Sequence, residues 1–270
     1  MKSGIGEGTA MGASIFADAI GGILTRPMEA LRVSLVPAAL AILAWALLVG
    51  DAPRIVWTSA GPTAWSGGAP APLSVEEATA TTLRLLAFGL VAAAAAAWVG
   101  AGWHRVVLRR DRPGWTPPVP LSRLGAYFWV AVRLFAVLLG FGALLLLVSV
   151  AFLGEGGLPG LAGRAADYVV VLLATYVSLR FGLALPAAAI GRPMTLGESW
   201  DLTGAAWPSV LGISTLLAGA SLILGLAQQA MPGPGWAALG MGMVGGWMAS
   251  MLGIGALTAL YARLLGPLDG

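Results

Sequence analysis

Six polar side chains stand out in an otherwise apolar chain: His104, Arg105, Arg133, Arg180, Glu198 and Asp201. A guanidinium is a planar fork that matches phosphate or carboxylate. An arginine within an apolar run is a functional candidate when a partner can be named. Glu198, Asp201 and Asp111 are the acids that fall on the same side as Arg133 and Arg180, with His104 and Arg105 nearby. One reading is a site for a lipid phosphate or another anionic substrate. The other is structural pairing, or snorkelling of long side chains toward the headgroups. Depth leaves both open. Arg133 falls about 9 Å inside its apolar run and Arg180 about 8 Å from the end of its own, at about 1.5 Å per residue.

Other chemistry is excluded on composition. There are no cysteines and one histidine, so neither a thiolate nor a histidine-based metal site is expected. No Ser–His–Asp pattern, H-E-x-x-H, P-loop or dinucleotide fingerprint is present. The expectation is a protein without enzymatic activity, cofactor or metal. The net charge of +3 gathers in particular loops rather than on a face, which argues against a nucleic-acid partner.

The elements that would position these residues follow from hydropathy. The 270 residues are 58% hydrophobic and 10% charged, with mean hydropathy +0.87. So little charge does not cover a water-facing surface, and a lipid bilayer is the expected partner of most of the chain. Six continuous runs are long enough to span it as helices: about Val33–Gly50, Leu83–Trp103, Tyr127–Leu153, Val169–Ile190, Val210–Ala230 and Trp236–Leu260. The fold class is therefore all-α, a polytopic membrane protein of six transmembrane helices spanning residues 33–263. Lys2, Arg26, Arg32, Arg105, Arg109, Arg110, Arg112, Arg123, Arg192 and Arg263 fall on one side, against Arg54, Arg84 and Arg164 on the other. Positive charge stays inside, so both termini are expected in the cytoplasm of a bacterial inner membrane, as an even number of spans requires.

Residues 1–32 read as a cytoplasmic amphipathic segment, with Met11, Ile15, Ala19, Ile20, Ile23 and Leu24 on one face of a short helix lying on the inner leaflet. The outer loop 51–73 is rich in Pro, Gly and Ala and is expected to be irregular; 104–126 and 191–209 are the cytoplasmic loops. "SVEE" at Ser74–Glu77 and "TLGE" at Thr195–Glu198 are capping boxes, in which hydroxyl and carboxylate each take a free backbone N–H. The first starts a helix running to about Asp111, roughly 55 Å long. The second starts a short interfacial helix with Leu196, Trp200, Thr203 and Trp207 on its bilayer face. Pro186 is expected to end the incoming helix early.

Arg-Pro recurs at Arg26-Pro27, Arg112-Pro113 and Arg192-Pro193, each before an odd-numbered span. Either three helix hairpins each follow a cytoplasmic interfacial element, or Arg and Pro simply concentrate at inner membrane edges. Small residues let membrane helices approach closely, and Ala238, Gly242, Gly246 and Ser250 form a stripe at steps of four. That stripe is expected to make the tightest contact within the bundle, or else a seam with a protein partner or a second copy. Ala92–Ala97 and the row Ser214, Ala218, Ser221 and Gly225 offer further smooth surfaces. The tryptophans near both predicted edges form the usual aromatic belts.

The stretch "RFGLALPAAAIGRPMTLGESWDLTG", Arg180–Gly204, resembles a pattern in six-helix bacterial membrane proteins, including the membrane-domain family named after glycerophosphoryl diester phosphodiesterases. The pattern is an arginine late in one span, L-P-A, a short turn, then S-W-x-L-T-x-G. It matches here at Arg180, Leu185-Pro186-Ala187, Ser199, Trp200, Leu202 and Thr203. Gly204 comes one position early, and Glu198 and Asp201 stand where the family carries basic residues. The resemblance implies a bacterial inner-membrane protein of that architecture. It implies no catalysis, because the phosphodiesterase of the named family is a separate soluble barrel. The function expected is non-enzymatic: structural or lipid-associated support in the envelope, or service as a partner subunit. The rival is a transporter or channel for a small or lipid-like anion. A cavity lined by Arg133, Arg180, His104 and Asp201 would favour the rival; a closed, Gly/Ala-packed bundle would favour the first.

Overall fold

A computed structural model describes residues 3–50, 54–58, 61–65, 71–72, 74–115, 119–153, 160–229 and 236–266. Helices carry it: α1 (Ser3–Thr25), α2 (Pro27–Leu48), α3 (Val75–Arg109), α4 (Leu121–Leu153), α5 (Gly160–Gly182), α6 (Ala184–Ile190), α7 (Leu196–Gly204), α8 (Trp207–Gln229) and α9 (Trp236–Leu265). Seven stretches are long and apolar enough to cross a membrane: Gly8–Thr25, Pro27–Leu48, Val75–Arg109, Leu121–Val148, Ala165–Ile190, Trp207–Gln228 and Gly242–Leu265. The protein is thus built as a multi-pass helical membrane protein in an apolar bilayer. Leu83, Leu90, Phe135, Leu146 and Ile223 stand exposed on its outer faces, where lipid replaces water as the partner.

The first 32 residues depart from expectation. Gly21-Gly22 does not interrupt α1, which runs 23 residues. Pro27 begins α2 ahead of Val33, because proline fits the first helical turn, where its missing N–H is not needed. The segment expected as one short surface helix is therefore a long apolar helix plus the first turns of the next.

The loop over 51–73 also differs. Arg54–Thr58 (β1) pairs antiparallel with Gly61–Trp65 (β2), Trp57 opposite Pro62, and β2 pairs with Ala71–Pro72 (β3). Ile55, Val56, Trp57 and Thr58 are the β-branched and aromatic types that suit a strand. Residues 51–53, 59–60, 66–70 and 73 of that loop lie outside the described residues.

Both capping boxes form. Ser74 Oγ accepts the Glu77 N–H at 3.2 Å while the Glu77 carboxylate accepts the Ser74 N–H at 3.0 Å. From this cap α3 runs 35 residues to a left-handed Arg110, φ 57°, so it is about 52 Å long. The loop expected over 104–126 shrinks accordingly. No helix follows Arg112-Pro113 among the described residues before α4, so the three-hairpin repeat holds only in part.

Every residue of α6 is buried. Around it α1, α5, α8 and α9 share one apolar cluster, and α3, α4 and α6 a second; α2, α3 and α9 share the third. The tightest approach is not the predicted stripe in α9. A Cβ on Gly242, Gly246 or Gly253 would meet nothing, whereas one on Gly12 would lie 2.7 Å from the Ser209 carbonyl and one on Gly8 2.6 Å from Pro208 Cβ. Close packing falls on α1 against the start of α8, and the Gly242/Gly246 face looks outward. The side chain of Ala238 lies outside those described. In α8, Ser214 and Ala218 are buried, but Gly225 opens onto space.

Candidate functional site

Arg180 is 7% exposed, and each nitrogen of its guanidinium is engaged. Nε donates to Thr203 Oγ1, Nη1 to the Tyr176 hydroxyl and Nη2 to the Trp200 carbonyl, each at 2.9 Å. The guanidinium also stacks 3.8 Å from the Trp200 ring centre, a cation–π contact that desolvation strengthens. Its partners are hydroxyls, a carbonyl and a ring, not acids.

The backbone beside it explains the arrangement. Pro186 has no N–H to give to the carbonyl one turn back, and the helix breaks between α5 and α6. Ser199 ties down the backbone just before the break: its hydroxyl donates to the Arg180 carbonyl at 2.8 Å and accepts the Leu183 N–H at 3.1 Å. Thr203 Oγ1 donates to the Ser199 carbonyl one turn back, at 2.8 Å, which leaves its lone pairs facing Arg180. Ser199 and Thr203, four residues apart and both fully buried, thus form a polar stripe that fastens α7 to the break. Thr203 does not face the bilayer edge, as its register with Leu196 and Trp200 predicts; the need to satisfy a buried carbonyl and guanidinium outweighs that pattern.

Glu198 is spent in the α7 cap, its carboxylate accepting the Thr195 N–H at 2.6 Å and the Thr195 hydroxyl at 2.9 Å. Those bonds, the backbone one foremost, hold its carboxyl below the usual range. Asp201 is exposed on the far side of α7. Neither acid pairs with Arg180 or Arg133. Arg133 lies on the exposed face of α4, its guanidinium 5.0 Å from the Trp129 ring centre, as a snorkelling arginine would be.

His104 forms a separate buried set. Its Nδ1 lies 2.8 Å from Thr258 Oγ1 and its Nε2 3.4 Å from the Tyr127 hydroxyl. Thr258 gives its proton to the Ile254 carbonyl at 2.7 Å, so Nδ1 carries hydrogen and Nε2 accepts from tyrosine, by the donor count of a neutral imidazole. Gly100 is required here, since the Tyr127 hydroxyl lies where its Cβ would go.

Arg105 and Arg109 cap the far end of α6. Arg109 donates to the Ile190 carbonyl at 3.2 Å and Arg105 to the Ala189 carbonyl at 3.4 Å, cations placed where a helix leaves carbonyls free. Arg105 also pairs with Asp111 at 2.6 Å.

The six predicted residues therefore separate into a locked arginine (Arg180), a buried histidine (His104), a helix-capping arginine (Arg105) and three surface positions (Arg133, Glu198 and Asp201). Neither the cleft along α1, α3 and α9 nor the one between α5 and α8 is lined by Arg133, Arg180, His104 or Asp201. Tyr127, Tyr176 and Thr258 complete these settings without any sequence signal; Ser199 and Thr203 were visible in the S-W-x-L-T pattern, though not as partners of Arg180. No protein-family model matches the chain, and no curated protein and no solved structure matches it either.

Proposed function

We propose that this chain is a non-enzymatic protein of a bacterial inner membrane, with a structural or lipid-associated role in the envelope, related to the six-helix membrane-domain proteins that its Arg180–Gly204 stretch resembles. The observation that carries this reading is the Arg180 lock. Arg180, Ser199, Trp200 and Thr203 are spent on one another, so the distinctive motif works as a fastening rather than as a reacting or transporting centre.

The same proposal holds α1 to be an inner-leaflet helix rather than a seventh span. In support, Gly8 lies on Pro208 at the start of α8 and Asp18 on Arg263 at the end of α9. Gly255, only ten residues before the end of α9, meets Ile23 near the other end of α1. Consecutive helices α8 and α9 run in opposite directions, so these contacts share one half of the bundle. Six spans then place both termini in the cytoplasm with the greater part of the arginines.

Two measurements test the reading. Tags at the N-terminus and at Gly270 should be labelled from one side of the membrane and a tag at Gly68 from the other; termini on opposite sides would establish seven spans. In proteoliposomes, phosphate and glycerol phosphate uptake should equal that of protein-free vesicles. Saturable uptake that Arg180→Ala abolishes would replace the structural role with transport.

A further inference from the structure

Between α1 and α3, floored by α9, runs a cleft of about 360 Å³. Its floor is Gly255, Thr258, Ala259 and Ala262, and Gly22 and Trp103 face each other across it. Positions 255, 258, 259 and 262 share one helical face, and the path from Gly255 to Arg263 covers about 12 Å. One end, at Gly22 and Gly255, is apolar. The other end carries a carboxylate and a guanidinium, Asp18 and Arg263, 2.9 Å apart and each about half exposed, at 57% and 49%. Trp103 is 1% exposed, yet among the described residues its indole N–H finds no acceptor, a cost that a ligand oxygen would remove.

We propose that this cleft binds one phospholipid with a zwitterionic headgroup, phosphate on Arg263 and ammonium on Asp18, with the glycerol and the first methylenes along the Gly255–Ala262 floor. The charge pair decides the headgroup. A lipid with only a phosphate gains Arg263 but meets the Asp18 carboxylate, whereas a headgroup of both signs satisfies both partners by exchanging their mutual contact. The assignment rests on the reading of α1 as an inner-leaflet helix.

The test is native mass spectrometry of the full chain in detergent doped with equal phosphatidylethanolamine and phosphatidylglycerol. The wild type should retain one phosphatidylethanolamine under activation that strips phosphatidylglycerol. A Cβ at Gly22 meets nothing within 4 Å, so Gly22→Leu fills the cleft without touching the backbone and should lower retention about tenfold. Asp18→Asn should turn the preference toward phosphatidylglycerol, because the site then carries a net positive charge. Equal retention by wild type and Gly22→Leu, phosphatidylglycerol preferred by the wild type, or an unchanged preference in Asp18→Asn would each overturn the proposal. Circular dichroism on the same samples shows that the variants are folded. The terminal tags report on α1 independently, so a failed lipid result and a failed topology are told apart.

Discussion

At the scale of single residues, burial turned charge into structure. Arg180 lies in the sequence as a lone cation in an apolar run, which by itself points equally to a ligand site or a structural partner. Its engagement by Thr203, Tyr176 and the Trp200 carbonyl supplies such partners, and the proposed structural role rests on them. Removing the guanidinium leaves a carbonyl and two hydroxyls short of a donor in a dry setting. Arg180→Ala should lower the thermal midpoint in detergent by on the order of 5–10 °C, from hydrogen bonds to a charged group and the size of the chain. Arg180→Lys, which keeps the charge but loses the fork, should recover less than half of that loss. A midpoint unchanged in both would mean that the contacts hold nothing together. The position of Arg180 was legible in the sequence, but its partners were not. Hydropathy weighs Ser199 and Thr203 as mildly polar residues of a surface helix, and no periodicity tells that they face a broken backbone 16–23 residues away.

At the scale of elements, the capping signals were the most readable feature. S-x-x-E and T-x-x-E each produced a helix start at the expected residue, because the cap is local: all of its donors and acceptors lie within four residues. Thr195→Ala should cost α7 about 1 kcal/mol, measured as faster hydrogen exchange of its amides. The cap also carries a defined acid sensitivity. The folded Glu198 carboxyl lies below its ordinary value, so its contribution is complete above the ordinary carboxylate range and is lost as pH falls through the lowered folded value. Exchange in α7, corrected for intrinsic rates, should stay flat from neutral pH to that range and then rise. Glu198→Gln, which keeps an acceptor that does not titrate, should remove the rise. Strands β1 to β3 show the converse, since a stretch rich in Pro and Gly hid a four-residue run of strand-forming types, Ile55–Thr58.

At the scale of the whole molecule, the membrane class was legible in composition, but the packing was not. Small residues at steps of four mark surfaces that permit close approach, and the chain carries more such surfaces than it uses within itself. Gly8 and Gly12 of α1 are used against Pro208, Ser209 and Gly212, while Gly242 and Gly246 are left open. Gly12→Leu should therefore reduce folded yield and thermal stability sharply, by overpacking, whereas Gly242→Leu should leave both unchanged in the monomer. If Gly242→Leu instead shifts the protein to smaller species in size-exclusion chromatography, the open stripe is a seam between copies. Loss of monomer stability in Gly242→Leu would contradict the packing described here.

The distance along the chain between Arg180 and its fastening also sets an order of events during synthesis. Thr203 is 23 residues downstream of Arg180, which at typical elongation rates means roughly 1–5 s of translation. Throughout that interval the guanidinium and the interrupted backbone beside it have been made, while the hydroxyls that satisfy them have not. The α5 segment consequently leaves the ribosome as an incomplete membrane helix. Until α7 follows, the Arg180 guanidinium and carbonyl lack the Thr203 and Ser199 hydroxyls that satisfy them.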